Sequence, residues 1–369
     1  MDDRAWWVAL HLVPGVGRIT FKKLVSYFGH PRAVLQATPG QLIRVSGIGP
    51  KIAQAIADFQ AAAEAERELR AAAHYNCRII TQAEDSYPSL LKTIEDPPPV
   101  LYVKGDLGDA TTPAIAMVGS RRPSTYGKVV AEQLARGLAA YGMTVVSGLA
   151  RGIDSMAHLA TLEGGGRTMA VLGCGLSYMY PPENRRLAER ISRQGAVVSE
   201  FPMAAKPDRL NFPLRNRTIS GLSLGTLVVE AGERSGALIT AQWALEQGRE
   251  VFAVPGNVTA PTSRGTNRLI KMGAKLVECV EDILEELPRY ALGTRPVVRL
   301  HQEDSCQADT TPDERRLLAL LDAIEARPID AIIEQARLPT SLVSSLLLKL
   351  ELDGRVTQLP GKLFLKALR

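Results

Sequence analysis

Six short apolar runs, mostly β-branched, punctuate the middle of the chain. They are "AIAMVG" from Ala114, "TVVSG" from Thr144, "TMAVLG" from Thr168, "AVVSEF" from Ala196, "TLVVEA" from Thr226 and "EVFAVPG" from Glu250. None alternates apolar with polar residues. Near-continuous apolar runs of this length are the pattern of parallel strands buried on both faces. Amphipathic stretches with a helical period separate most of them, over Tyr126–Tyr141, Ile153–Leu162, Glu183–Arg193 and Ser235–Gln247. The alternation predicts a doubly wound, mostly parallel α/β sheet over residues 75–290. Its ligand site is expected at the carboxyl ends of the strands, near the point where the strand order reverses.

The flanks carry a different period. Residues 1–74 are Ala-rich and helical in pattern, and they contain an internal echo. "LVPGVGRITFKKLVSYFG" from Leu12 and "VSGIGPKIAQAIADF" from Val45 each place an apolar residue and a G-h-G turn before an amphipathic helix. This resembles a tandem helix-hairpin-helix, in which hairpin amides and the next helix N-terminus face a nucleic-acid phosphate. Tight turns inside a helical bundle of SAM type give the same pattern, and both readings stand; Lys22, Lys23 and Lys51 favour residual DNA contact. Residues 291–310 are polar with weak periodicity and read as a linker. Residues 311–369 read as helix, helix, turn, helix and a two-strand wing. The third helix, after Pro339, offers Ser341, Ser344, Ser345 and Lys349 in an otherwise apolar face, which suits packing or protein contact better than base reading.

Composition narrows the class. The 369 residues are 46% hydrophobic and 22% charged, with a net charge of +5. No apolar run approaches the ~20 residues of a membrane helix. The acidic start "MDDRAWWVAL" makes a poor signal peptide. Cys77, Cys174, Cys279 and Cys306 lie far apart without a CxxC pair, which fits a reduced cytoplasm and argues against a metal site. GxxxxGK[ST] is absent, as is GxGxxG with its downstream acid, so neither ATP nor NAD is expected as a cofactor.

The segments that leave the strand ends carry most of the chemistry. The loop after "AIAMV" supplies Gly119, Ser120, Arg121 and Arg122, and that after "TVVS" supplies Arg151. The long segment after "AVVSE" supplies Lys206, Arg209, Phe212, Arg215, Asn216 and Arg217, and the last two loops add Arg234 and Arg264. A mild global charge thus becomes a strong local one on a single rim. One mononucleotide needs only one or two such groups, so this many suggest a polyanion lying across the rim. Phe212, Tyr126, Tyr178 and Tyr180 are interleaved with the cations, as suits a single strand whose bases stack on aromatic rings. Alternatives stand beside this. Phe212 in a "FPLRNR" turn can be a core plug, and Asn216 and Arg217 can pair with Glu200 or Glu230 at the strand ends.

Acid–base or nucleophilic catalysis has thin support. Asp154 and His158 stand at i, i+4 in "GIDSMAH", a spacing that more often caps a loop and satisfies a buried imidazole. Cys174 has no histidine nearby in sequence.

The ordered motifs "DSYPSLLKTIEDPPPVLYVKGDL", "AMVGSRRPSTYG", "VSGLARGIDSMAHLATL", "AVLGCGLSYMYPPEN", "FPLRNRTISGLS", "VVEAGERSGALITAQWALEQGREVFAVPG" and "SRGTNRLIKMGA" resemble the DNA-processing protein A (DprA/Smf) family over Asp85 to Val277. The resemblance implies an extended Rossmann-like domain between a SAM or helix-hairpin-helix domain and a winged-helix-like domain. It implies a cytoplasmic, non-enzymatic homodimer that binds single-stranded DNA and helps load the RecA recombinase during natural transformation. It assigns phosphate binding to Arg121, the amide loop to Gly119 and Ser120, and basic or base-contacting roles to Arg209 and Phe212, with Lys206 nearby. A nucleotide-processing enzyme resembling the lysine-decarboxylase-like phosphoribohydrolases is the competing expectation, through "SLGTLVVEAG".

Overall fold

The computed structural model describes residues 1–108, 112–288, 311–322, 326–352 and 355–366. Among these residues a nine-stranded sheet is formed by β1 (Arg78–Thr81), β2 (Val100–Gly105), β3 (Ala114–Val118), β4 (Thr144–Ser147), β5 (Thr168–Leu172), β6 (Ala196–Ser199), β7 (Gly225–Val228), β8 (Glu250–Ala253) and β9 (Lys275–Leu276). The order is β1-β2-β6-β5-β4-β3-β7-β8-β9. The six apolar runs are β3 to β8, parallel to one another, and β3 to β7 are buried at every residue. The order reverses between β3 and β7, which is the switch point of the doubly wound topology. Beyond β6 the sheet is extended by β2 and β1, each antiparallel to its neighbour.

The four expected helices form, over Thr125–Ala140, Ile153–Glu163, Arg185–Gln194 and Gly236–Glu246. A fifth corrects the expectation of a loop after β6: Asn211–Gly221 is helical. Pro213 lies in its first turn, where no intrahelical hydrogen bond is lost. Its second half, from Arg217 to Gly221, is buried, so it carries no polar face to mark a helical period.

The first 295 residues form one compact unit. Residues 1–74 make the helices Asp3–Leu12, Arg18–Phe28, Pro31–Leu35, Pro39–Leu42, Pro50–Ala57 and Ala61–His74. Their Trp7, Leu10, Leu24 and Ala65 share one apolar cluster with Tyr102, Leu172, Val197 and Met203 of the sheet region. The amide of Met203 also donates to the Glu68 carboxylate at 2.6 Å. The second unit, residues 296–369, contains the helices Pro312–Leu320, Ile329–Ala336 and Thr340–Leu352. It also contains β10 (Arg327–Pro328), β11 (Val356–Leu359) and β12 (Leu363–Lys366), in the antiparallel order β10-β12-β11. Leu317, Ile332, Val343, Leu347 and Phe364 form its core. Lys349, on the third helix, donates to Glu314 at 2.7 Å. The expected linker, with Cys306, lies outside the described residues. Among the described residues no helix is long and apolar enough to cross a membrane.

Candidate nucleic-acid interface

The loop after β3 and the end of β7 meet at the switch point, and Glu230 fills it. The backbone oxygen of Glu230 accepts from the Ser120 amide at 2.7 Å. Its carboxylate accepts from the Ser124 amide at 3.1 and 3.2 Å and from the Ser124 hydroxyl. Ser124 in turn caps the helix Thr125–Ala140. A helix N-terminus at a switch point is a ready anion site, and here the protein's own carboxylate occupies it. The Arg122 amide is also satisfied, by the Ser120 hydroxyl at 3.1 Å. Ser120 as an amide donor to a ligand is therefore corrected: its N–H is spent on Glu230. Gly119 stands beside it, packed against Ile153.

The open part of the rim lies one step along, over β4 and β5. A shallow cleft of about 30 Å³ is lined by Arg121, Gly148, Ala150, Arg151, Tyr180, Pro181, Phe212 and Arg215. Phe212, at the second position of its helix, is half-buried against Gly173. The Arg121 and Arg215 guanidiniums lie 5.8 and 5.9 Å from its ring centroid, within cation–π range. The Tyr180 ring is 5.5 Å away at 40°. Gly152 holds the neighbouring loop in place with φ +77, and a Cβ there would run into the Ser120 carbonyl. Arg151 is exposed and paired with Glu183. Arg121, Arg122, Lys206 and Arg209 are exposed and form no ion pair among the described residues.

Beneath these cations is a second, buried set. Arg215 is 4% exposed. Its Nη1 donates to the carbonyls of Gly148, at 2.7 Å, and Val171, and its Nε to Asn216 Oδ1 at 3.2 Å. Burial lowers its pKa to about 10, with the Asp154 carboxylate opposing the fall. Asn216 also donates to the Gly236 carbonyl at 3.3 Å. Arg217 is 1% exposed, bonded to Asp96 Oδ1 at 2.7 Å and 3.6 Å from Glu200. The expectation of direct ligand contact is thus corrected for Arg217, which burial keeps from reaching a ligand, whereas Arg215 spends Nε and Nη1 on the protein and still lines the cleft, and Asn216 is half-buried beside it. Of the partners considered for Arg217, the structure supplies Glu200 and adds Asp96. The same Asp96 pairs with Arg18, at the start of the helix after the first G-h-G turn. Lys22, one turn on, donates to the Glu95 carbonyl. The first hairpin is thereby docked on the sheet region. Sequence reasoning misses Asp96 and Arg18 as part of the rim; the one signal is an acid beside the Pro-rich "DPPPV".

Asp154, His158 and Cys174 are all buried. Asp154 accepts from the amides of Gly148 and Ala150 at 3.1 and 3.3 Å, and burial raises its pKa. His158 bonds Thr168 Oγ1 at 2.6 Å, not Asp154, and burial holds its pKa at about 3. Burial pushes the Cys174 thiol up to about 11, away from the thiolate. Tyr126 is committed to the Pro255 carbonyl at 2.9 Å. A larger cavity of about 240 Å³ lies at the opposite end of the strands, lined among others by Arg78, Asp106, Ala114 and Thr144. That is the amino end of the parallel strands, where α/β sheets do not place their ligands.

Comparison with known proteins bears on the fold and the family. A family model described as DNA recombination-mediator protein A matches residues 78–288. The chain belongs to that family, known also as DprA or Smf. Models of the DprA winged helix domain and of a helix-hairpin-helix motif match residues 302–362 and 7–69. Protein Smf of Synechocystis sp. is 36% identical, with 98% of each chain covered. The solved structure of DNA processing protein A from Streptococcus pneumoniae superposes with a TM-score of 0.69 at 34% identity, covering 78% of this chain and 99% of that one. DNA processing protein A from Helicobacter pylori, whose structure is reported for its single-stranded DNA binding mode, superposes with a TM-score of 0.52 at 29% identity, covering 57% and 95%.

Proposed function

We propose that this chain binds single-stranded DNA across the carboxyl-end rim of its sheet, without catalysis. Arg121, Arg122, Arg151, Lys206 and Arg209 hold phosphates, and Phe212 with Tyr180 offers aromatic surface to the bases. Arg215, Asn216 and Arg217 form the floor that positions them. The observation that carries this reading is the combination of a filled switch point and an open cationic rim. Glu230 blocks the anion site that a mononucleotide enzyme of this topology uses. The cleft, at about 30 Å³, is far below the ~300 Å³ or more of an enclosed small-molecule site. A strand needs no enclosure, because it lies over the surface and gathers contacts along its length.

Membership of the DprA/Smf family places the activity in DNA processing for recombination. Within that role, the expected partner is the RecA recombinase and the expected assembly a cytoplasmic homodimer. Labelled oligothymidylates of increasing length and nucleoside monophosphates test the reading together. Affinity that grows with length, with no base released from the monophosphates, is expected. Release of free base identifies a nucleotide-processing enzyme instead. Faster nucleation of RecA filaments on single strands when the protein is added tests the partner.

A further inference from the structure

The helix Arg185–Gln194, "RRLAERISRQ", lies beside the cleft and is dominated by arginine. Ala188 and Ile191 bury its inner face. At 3.6 residues per turn, Arg186, Arg190 and Arg193 share about 60° of the opposite face, at i, i+4 and i+7. All three are exposed and none forms an ion pair among the described residues. Several arginines on other helices of this unit are matched: Arg67 with Glu64, Arg70 with Glu66, and Arg136 with Glu132 and Glu163. Glu189 stands among them, three residues after Arg186 and four before Arg193, and forms no ion pair among the described residues, so the face keeps a net positive charge that an anionic partner can meet.

The position of the stripe says which partner. The helix starts from the segment that lines the cleft with Tyr180 and Pro181. Asn184 pins that start to the opposite cleft wall, donating to the Leu149 carbonyl and the Ser155 hydroxyl at 2.8 Å each. Because β5 ends at the rim and the helix returns to β6, Arg186 lies nearest the cleft and Arg193 farthest, about 10 Å further along the axis. The row begins three residues after Glu183, which pairs with Arg151 at the edge of the cleft.

We infer that Arg186, Arg190 and Arg193 carry the single strand onward from the rim, gripping successive phosphates down the outside of the helix. This rests on the rim reading proposed above. It makes the binding site longer than the cleft, so only strands that overrun the cleft reach the stripe. The test compares hexathymidylate with an oligothymidylate of about twenty nucleotides, by fluorescence anisotropy over a salt series. The triple variant Arg186→Ala, Arg190→Ala, Arg193→Ala should bind the long strand about ten-fold or more weakly at low salt, with its salt slope reduced by about 2, since each lost single-strand phosphate contact removes ~0.7. Hexamer affinity should stay within about two-fold. Replacing the three with lysine should restore most of the slope. An unchanged slope for the long strand overturns the inference and leaves the stripe to an acidic protein, as does an equal loss on both lengths. Failure of the rim reading shows separately, as wild-type protein that binds neither length or as Arg121→Ala leaving the hexamer unaffected.

Discussion

Arg121 and Arg217 belong to the same rim and differ in every physical respect. Arg121 projects from the loop after β3, exposed, with an aromatic ring as its neighbour. Arg217 is 1% exposed on the helix Asn211–Gly221, held between Asp96 and Glu200. The first keeps its charge available at little cost, because water solvates it until a phosphate replaces the water. The second has lost its water and depends on two carboxylates to offset desolvation. An exposed cationic layer lies over a buried ionic floor: the floor sets where the helix and its Phe212 stand, and in the proposed reading the layer meets the ligand.

The division is broken most severely from below. Arg217→Ala removes the buried cation between Asp96 and Glu200, leaving Arg18 beside both and the Thr218 hydroxyl on Glu200, and is expected to cost about 3 kcal/mol of folding stability, the low end for breaking a buried pair. Denaturant unfolding measures it. Affinity per folded molecule should change far less, and stability within ~0.5 kcal/mol of wild type would show that Arg217 belongs to the exposed layer after all.

Acid also separates the layers. Burial holds His11 at about 4 and His158 at about 3, both below the usual value of 6.5. Between those values and 6.5 the unfolded chain binds more protons than the folded one, so stability is full above 6.5 and falls as the pH drops towards 4. Melting temperature should decline from about pH 7 to about pH 5, while the DNA salt slope of the folded protein stays constant; a flat melting profile would contradict the buried, neutral imidazoles.

Phe212 sits between the layers. Its ring is half-buried, with Arg121, Arg215, Tyr180 and Gly173 around it. Phe212→Ala should cost ~1–3 kcal/mol of single-strand affinity, with a smaller loss of stability than the ~3–5 kcal/mol of a fully buried phenylalanine. Phe212→Tyr and Phe212→Trp should retain most of the affinity. A large drop in melting temperature with unchanged affinity assigns the ring to the floor. The smallest effect belongs to the layer itself: Arg121→Ala should lower the salt slope by ~0.7, equally for all base sequences, with no change in stability. An unchanged slope would remove Arg121 from the strand's path.

The central strands are legible in the sequence because burial on both faces writes itself as an unbroken apolar run. β1 and β2 are less so: "RIIT" opens on an exposed arginine and ends on a threonine, and "VLYVKG" ends in a lysine and a glycine. The helix that carries Phe212, Arg215 and Arg217 reads as a loop for two reasons. Pro213 stands in its first turn, and its second half is buried, which erases the amphipathic signal. The cationic rim is visible as composition at the strand ends. Which of its arginines face water is not, since the partner that buries Arg217 lies 121 residues earlier in the chain. Glu230, expected to organise an arginine, instead holds Ser124, which caps the helix after β3. The two choices have equal sequence signatures, and only packing at the switch point separates them.

The apolar cluster shared by residues 1–74 and the sheet has a consequence for how the protein is made. Trp7, Leu10 and Leu24 leave the ribosome well before Leu172, Val197 and Met203, which help to cover their cluster. At ~5–20 residues per second of synthesis, the helical segment waits on the order of ten seconds for those partners. During that interval its greasy side is open to solvent and to chaperones. The unit is therefore complete only once its later half has emerged, and a fragment beginning at the sheet would emerge with the matching surface bare.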